Sequence, residues 1–204
     1  MERLILFDID GTLTRTHNGY LPFNDAILIT FGFAGDIRTV VPDGNTDPLI
    51  VKDIFAKAAL EIAVDAHQWE QFTAQLESSY REHVARGATT IRALPGAEAL
   101  LQELSLADGF HCSVVTGNFE ATARVKLESA GLWSYLSRGA YASDSDYRPD
   151  LPAIAKERWE IASGRPIASA QCIIVTGHSP IAPWNPPLAT TKSPSIPLFQ
   201  RGQG

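Results

Sequence analysis

The sequence predicts an α/β fold in which an open parallel sheet forms the core and a helical cap is inserted after the first strand. Three short β-rich runs, at 4–7, 111–116 and 171–176, each lead into a polar residue and a nearby glycine. The first run is apolar at every position, which is typical of a strand buried on both faces of a parallel sheet. From residue 90 onward such runs alternate with helical periodicity, which predicts crossover connections between parallel strands.

Apolar residues recur at helical spacing between these runs and predict the helices. A further short strand is expected at 139–142. Asn118 is positioned to cap the helix after the second run, and Gly131 and Gly164 are expected to end two helices. The residues expected to face inward are Ile50, Ile54, Ala58, Ile62, Trp69, Phe72, Leu76, Tyr80, Val84, Leu100, Leu101, Leu104, Ala121, Val125, Ala130, Ile154, Ala155 and Ile161.

Composition divides the chain into a core, a cap and a tail. Residues 18–88 are mostly helical in pattern and are expected to form the cap, while 1–17 and 89–182 form the core. All 23 acidic residues lie at or before Glu160, and the last 25 residues hold six of the 13 prolines. We expect 183–204 to be a proline-rich tail that is non-native to the fold or disordered, with the last core elements missing.

The overall composition excludes several classes of protein. The 204 residues carry a net charge of −6, which argues against a nucleic-acid partner. No window is long and apolar enough to cross a membrane, and the first residues do not resemble a signal peptide. Two distant cysteines are compatible with a reducing compartment, so a cytoplasmic location is expected. The sequence does not indicate an oligomeric state.

The segment from Asp8 to Thr14 carries the strongest chemical signal. It places Asp8 and Asp10 two residues apart at the carboxyl end of a predicted strand, where open α/β sheets bind ligands. One carboxylate can attack phosphorus while the other protonates the leaving oxygen and then activates water. A divalent cation between them would reduce repulsion with phosphate. The alternative interpretation is a solvated Asp-Gly turn.

Asp8-Ile9-Asp10-Gly11-Thr12-Leu13-Thr14 resembles the first motif of the haloacid dehalogenase-like hydrolase superfamily, in the form found in its phosphatases. The resemblance implies a Mg²⁺-dependent phosphohydrolase with a Rossmann-like core. It implies that Asp8 is the aspartyl nucleophile and Asp10 the general acid/base. It also implies that the metal is held by the Asp8 carboxylate and the Asp10 backbone carbonyl.

Two further segments are similar to motifs of that family. Thr116-Gly117-Asn118 follows a predicted strand, as the second motif does, and these three residues are expected to bind a phosphoryl oxygen. Arg148 stands where the third motif supplies a cation, and it is the candidate for balancing phosphoryl charge. The alternatives are a strand threonine before a helix cap, and a surface arginine paired with Asp146 or Asp150.

The fourth motif, Gly-Asp-x-x-x-Asp in the family, is degraded. His178 and Ala182 stand where its two carboxylates belong, and Asp144 or Asp146 is a possible substitute ligand from a neighbouring loop. In the cap, residues 44–48 resemble a turn of phosphoglycolate-phosphatase-like members, although a simple β-turn explains the same residues. This turn points to small organophosphates as substrates.

Three functions are compatible with these patterns. The first is a phosphatase that acts on a small-molecule phosphate ester through an aspartyl-phosphate, with Mg²⁺ as cofactor. The second is a catalytically impaired or inactive remnant that at most binds phosphate or a partner, as the absent fourth-motif carboxylates suggest. The third is an adaptor that works through the two Pro-x-x-Pro runs of the tail.

Overall fold

A computed structural model describes residues 2–177 of the chain. The described strands and helices alternate from residue 90 onward, whereas two strands and then three helices precede this point, and short 3₁₀ turns lie at 37–39, 133–135, 148–150 and 169–171. In chain order the elements are β1 (Arg3–Phe7), β2 (Thr14–His17), α1 (Tyr20–Phe31), α2 (Asp47–Lys57), α3 (Ala66–Ala85), β3 (Thr90–Ala93), α4 (Ala97–Leu106), β4 (Phe110–Val115), α5 (Glu120–Ser129), β5 (Ser137–Ala140), α6 (Leu151–Ser163) and β6 (Cys172–Val175).

Four strands form a parallel sheet in the order β5-β4-β1-β6. β1 is central, with Ile5 in register with Cys112 of β4 on one side and Ile173 of β6 on the other. Alternate β1 residues face opposite sides, so Leu4 and Leu6 pack toward α6, whereas Ile5 and Phe7 pack toward α4 and α5. The sheet therefore lies between two helical layers, and the predicted α/β fold is confirmed.

The segment between β1 and β4 contributes a second apolar core. α1 and α2 pack against α3 around its residue Phe72. The Phe72 ring contacts that of Phe23 in α1, with the ring centroids 5.7 Å apart. Phe119, which lies in the loop between β4 and α5, joins this cluster through Trp69 and Phe72. The inserted helices are therefore anchored to the sheet by an aromatic side chain.

β2 and β3 form a two-stranded antiparallel ribbon that the sequence did not predict. Thr14 pairs with Ala93 and His17 with Thr90, so the ribbon joins the two ends of the inserted helical segment to the sheet. Each strand has four residues and no continuous apolar run. Strands this short and this far apart in sequence leave no local periodicity to detect.

Two predicted strand and helix boundaries were wrong. The strand expected at 139–142 occupies Ser137–Ala140. The helix expected to include Ala58 and Ile62 ends at Lys57, and Ala59 then adopts a positive φ of 55°. A left-handed residue breaks the right-handed path of a helix, so Ile62 lies outside it.

Three side chains expected to face inward are exposed, namely those of Ala58, Leu100 and Ile161. Leu100 is 47% exposed while Leu101 is fully buried, because consecutive helical residues point about 100° apart. Ile161 is 76% exposed, since the buried face of α6 runs through Leu151, Ala155 and Trp159. Within the described residues, no helix combines the length and apolarity that a membrane span requires.

The inserted helices should depend strongly on Phe72. Phe72→Ala removes a fully buried ring and should lower the free energy of unfolding by about 3–5 kcal/mol, measured by urea denaturation. Phe110→Ala makes the same chemical change at a position that is 38% exposed, and should cost about 1 kcal/mol. Equal losses in the two variants would contradict this assignment of the second core.

Candidate active site

The turn after β1 directs two carboxylates to the carboxyl end of the sheet. The backbone oxygen of Ile9 accepts hydrogen bonds from the amides of residues 12, 13 and 14, at 3.3, 2.9 and 2.9 Å. Ile9 and Leu13 are buried beneath this turn, so its conformation is fixed by packing. Asp8 and Asp10 stand two residues apart and both line one cavity. Asp8 is only 4% exposed, whereas Asp10 is partly exposed and Gly11 is exposed, so the turn is solvated at Gly11 but not at Asp8.

Asp8 forms an ion pair with Arg148. Arg148 Nη2 donates to Asp8 Oδ2 at 2.6 Å, and the Ile9 amide donates to Asp8 Oδ1 at 2.8 Å. Burial raises the pKa of Asp8, and the nearby Arg148 charge opposes this rise only in part. Arg148 therefore does not form the surface pair with Asp146 or Asp150 that was the alternative.

Asp10 forms a second ion pair, with Lys126 of α5. Lys126 Nζ donates to both carboxylate oxygens of Asp10, at 2.9 and 2.7 Å, and to Asn118 Oδ1 at 2.7 Å. Burial raises the pKa of Asp10, but the charge and hydrogen bonds of Lys126 and Asn118 outweigh it, and the net pKa is lowered. Burial lowers the pKa of Lys126, but the combined charges of Asp10, Tyr80 and Asp47 outweigh it, and the net pKa is raised. Both partners are therefore held in their charged forms.

Sequence reasoning missed Lys126, although a signal was present. Lys126 follows Thr122 by four residues and Ala123 by three, and all three are buried on the same face of α5. Lysine rarely lies on a buried helical face unless a charge pairs with it. Its position on that face could have indicated a carboxylate partner.

Asn118 connects the residues of this site, and its predicted role as a helix cap was wrong. Phe119 occupies the cap position of α5 and makes no side-chain cap hydrogen bond. The Asn118 amide group instead donates to Asp10 Oδ2 at 2.8 Å and to Thr116 Oγ1 at 2.7 Å. A polar residue before a helix usually makes a local capping bond, but the Asn118 side chain bonds Asp10 and Thr116 instead.

The 44–47 turn of the inserted segment contacts the 116–119 loop, which follows β4. The Asp47 amide donates to the Gly117 carbonyl at 2.7 Å, and Asp47 Oδ2 accepts from the Phe119 amide at 2.9 Å. A Cβ atom on Gly117 would lie 2.1 Å from the Asn45 carbonyl oxygen, so only glycine allows this approach. The two segments are therefore in direct backbone contact.

The same turn also contacts the segment that carries Arg148. Thr46 Oγ1 donates to the Asp146 carbonyl at 2.9 Å. Lys52 Nζ forms an ion pair with Asp146 Oδ2, also at 2.9 Å. The inserted segment is consequently fastened to both loops that surround Asp8 and Asp10.

A cavity of about 230 Å³ lies between the inserted helices and the sheet. All six residues predicted to form the site line it: Asp8, Asp10, Thr116, Gly117, Asn118 and Arg148. Lys126 and several residues of the inserted segment complete the wall. The cavity is thus bounded by acidic and basic groups on the sheet side and by the inserted segment opposite.

The oxygen donors at this site fit a magnesium ion only as a sparse ligand set. No cluster of three His, Cys, Asp or Glu side chains suited to a metal occurs in residues 2–177. Asp144 is bound to Arg158 at 2.6 Å and Asp146 to Lys52, and neither of these possible substitute ligands lines the cavity. Asp8 and the Asp10 carbonyl remain, and Mg²⁺ accepts one or two carboxylates when water and substrate phosphate complete its shell.

Three parts of the sequence prediction fall outside the described residues. They are His178, Ala182 and the tail at 183–204. β6 ends just before this region, and the Gly177 amide donates to Thr12 Oγ1 at 2.7 Å. The described chain therefore reaches the site again after β6, at the place where the fourth motif would begin.

Comparison with known sequences gives two matches. The sequence pattern of the family described as haloacid dehalogenase-like hydrolase matches residues 5–180. A curated protein of Dickeya dadantii (strain 3937), named "Probable phosphatase IndB", is 29% identical over 135 residues. This match includes 66% of the present chain and 56% of that protein, so the chain spans little more than half the length of this relative.

Solved structures share the fold. A hydrolase from Pseudomonas syringae has a TM-score of 0.58 at 22% identity, over 85% of this chain and 75% of that chain. CbbY from Rhodobacter sphaeroides in complex with phosphate has a TM-score of 0.59 at 17% identity, over 85% and 77%. A predicted phosphoglycolate phosphatase from Haemophilus somnus 129pt has a TM-score of 0.54 at 20% identity, over 85% and 76%.

Asp47 should make stability depend on pH. Burial raises its pKa to about 7, against opposing effects of Lys126 and the Phe119 amide, whereas the unfolded carboxyl titrates near 3.8. The folded state therefore binds the proton more tightly, and stability should fall as the pH rises from about 4 to 7. Asp47→Asn keeps an acceptor for the Phe119 amide and should remove this fall, so it stabilises the protein more at pH 8 than at pH 5.

The control for that measurement is Asp53→Asn, the same change at an exposed position of the same helix. The free energy of unfolding is measured by urea denaturation of both variants and the parent at several pH values. An Asp47→Asn variant with the parent's pH dependence would contradict the assignment.

Proposed function

Because the chain belongs to the haloacid dehalogenase-like hydrolase family, we propose that it is a phosphatase acting on a small phosphorylated metabolite. The observation that carries this proposal is the arrangement of Asp8 and Asp10, each paired with a cation and both facing one cavity. The name of the relative from Dickeya dadantii, a probable phosphatase, supports the same reaction class.

Asp8 is the proposed nucleophile. Its carboxylate oxygen forms a bond to phosphorus while the bond from phosphorus to the ester oxygen breaks, which leaves an acyl phosphate on Asp8. Water then attacks this phosphorus, inorganic phosphate leaves, and the Asp8 carboxylate is restored. Arg148 lies 2.6 Å from Asp8 and is suited to orient the nucleophile and to offset charge on the transferred phosphoryl group.

Asp10 is the proposed general acid and base. It donates a proton to the leaving ester oxygen in the first step and takes one from the attacking water in the second. The lowered pKa of Asp10 suits the second step, in which an ionised carboxylate is required. Protonation for the first step is favoured by bound substrate, because a neighbouring negative charge raises the pKa of a carboxyl.

The charge balance of the site supports Mg²⁺ as the cofactor. The charges of Arg148 and Lys126 already balance those of Asp8 and Asp10, so these four groups offer no net positive charge to a phosphate dianion. We propose that the Asp8 carboxylate and the Asp10 backbone carbonyl would hold the ion. When bound, Mg²⁺ supplies positive charge that offsets the phosphoryl oxygens.

The 116–119 loop is the proposed phosphate-binding element. The Thr116 hydroxyl and the Gly117 amide are suited to bind phosphoryl oxygens, because both residues line the cavity beside Asp8. The Asn118 side chain is already bonded to Asp10, Thr116 and Lys126, so its proposed role is to hold these three in place.

Residues 18–88 are the proposed cap, and 1–17 with 89–182 are the proposed core. The contacts of Thr46 and Asp47 with the core support a cap that is closed over the site. A closed cap excludes water from the reacting atoms and selects substrates by the shape of its wall.

The alternative function is a catalytically impaired remnant of such a phosphatase that binds phosphate or a partner. It is motivated by His178 and Ala182, which stand where the fourth motif of the family has its two carboxylates. Phosphate binding without any turnover would favour it. It also implies that turnover appears only when carboxylates are introduced by His178→Asp and Ala182→Asp in a C-terminus of the family type.

Asp8→Asn should abolish the reaction. With p-nitrophenyl phosphate and Mg²⁺, the parent chain is expected to release phosphate, and the variant should be slower by about 10³-fold or more. Asp53→Asn, an exposed change of the same kind, should keep the parent's rate. An Asp8→Asn variant that retains activity would show that Asp8 is not the nucleophile.

Removal of divalent cations should stop turnover. Chelation with EDTA is expected to eliminate phosphate release, and added Mg²⁺ should restore it, because the two protein cations are used by Asp8 and Asp10. Phosphate release is measured before chelation, after it and after Mg²⁺ is returned. Full activity in EDTA would contradict the proposed cofactor.

A further inference from the structure

We propose that the substrate is the phosphate monoester of a small uncharged alcohol, and that the cavity disfavours a leaving group with a second negative charge. This inference deepens the proposed phosphatase function and rests on it. The chemistry of the two cavity walls carries the argument, since one wall holds the reacting groups and the other faces the rest of the substrate.

The phosphoryl group of a substrate is expected to lie at the sheet side of the cavity. Asp8, the proposed nucleophile, lies in the sheet-side wall, and so do the two cations Arg148 and Lys126. A phosphorus atom within reach of Asp8 therefore occupies the sheet side. The alcohol portion must extend toward the inserted segment, which forms the opposite wall.

That opposite wall combines apolar, acidic and uncharged polar residues. Its apolar members include Phe23, Ile37 and Ile50, and the Asp47 carboxyl lies among them. The two basic side chains among the described lining residues, Lys126 and Arg148, belong to the sheet side and are paired with Asp10 and Asp8. The two basic residues of α2, Lys52 and Lys57, do not line the cavity, and Lys52 pairs with Asp146.

These surroundings discriminate by charge. A carboxylate or second phosphate on the leaving group would lose its hydration against Phe23 and Ile50 and would be repelled by ionised Asp47. An uncharged alkyl or hydroxyalkyl group loses little on the same transfer and gains apolar contact. The wall thus favours the neutral ester over an anionic ester of equal size.

The size of the cavity is suited to a small alcohol. A volume of about 230 Å³ lies below the roughly 300–1,000 Å³ of sites that hold drug-sized ligands. A phosphoryl group with an alcohol of a few carbon atoms is compatible with that space. Propyl phosphate and phosphoglycolate are therefore a suitable pair of probes, since they have similar length and differ in the charge of the leaving group.

The test measures binding and turnover separately. Propyl phosphate and phosphoglycolate are titrated calorimetrically into the Asp8→Asn variant with Mg²⁺ at pH 8, where Asp47 is largely ionised. The dissociation constant for propyl phosphate should be smaller by about tenfold or more. The ratio of kcat/KM values in the parent chain should show the same preference.

A pair of neighbouring lysine substitutions controls for the location of the effect. Pro42 lines the cavity from an exposed loop, so Pro42→Lys should strengthen phosphoglycolate binding and reduce the preference by about tenfold. Val41 is 72% exposed and is not among the cavity-lining residues, so Val41→Lys should leave the preference unchanged. Equal effects of the two substitutions would overturn the assignment of this wall.

The outcomes separate the inference from the proposed function. If the parent chain hydrolyses phosphoglycolate with the higher kcat/KM, the inference is overturned and the phosphatase function is supported. Selective binding of propyl phosphate without turnover of either ester would support the inference and contradict the phosphatase function. Failure of both esters to bind the variant and to be turned over by the parent chain would overturn both.

Discussion

Two ion pairs at the carboxyl end of β1 determine the arrangement of the site. Asp8 pairs with Arg148 and Asp10 with Lys126, and the two cations come from segments that follow neighbouring strands. Loops after adjacent parallel strands meet at one edge of a sheet, which is why these distant residues converge. Removal of Arg148 would take the paired cation from the buried Asp8 carboxylate, whereas the Asp10 side chain that pairs with Lys126 is 44% exposed. The pairs therefore fix this geometry more than they add net stability.

The inserted helices depend on the same edge of the sheet. The 44–47 turn holds the 116–119 loop through backbone bonds at Asp47, and the Phe119 ring enters the core of the inserted helices. The loop therefore connects the aromatic cluster of the inserted helices to the Asn118 side chain, which bonds Asp10 and Lys126. A change in the position of the inserted helices is thereby coupled to the charged groups.

The sequence predicted those parts of the molecule that local patterns determine. The parallel sheet and the two carboxylates followed from short runs of residues whose meaning does not depend on distant partners. Lys126 and the contacts of Asn118 were missed because both side chains bond Asp10, which lies more than 100 positions away in the sequence. The β2–β3 ribbon was missed for the same reason, since its two strands pair across the whole inserted segment.

The central claim is that Asp8 becomes phosphorylated during turnover, and trapping the acyl phosphate tests it most directly. Acid quenching during steady turnover, followed by borohydride reduction, converts an aspartyl phosphate to an alcohol that peptide mass spectrometry can locate. The account predicts reduction at Asp8 in the parent chain and at no position when substrate is omitted. Turnover with Asp8 unmodified, or with reduction at another residue, would contradict it.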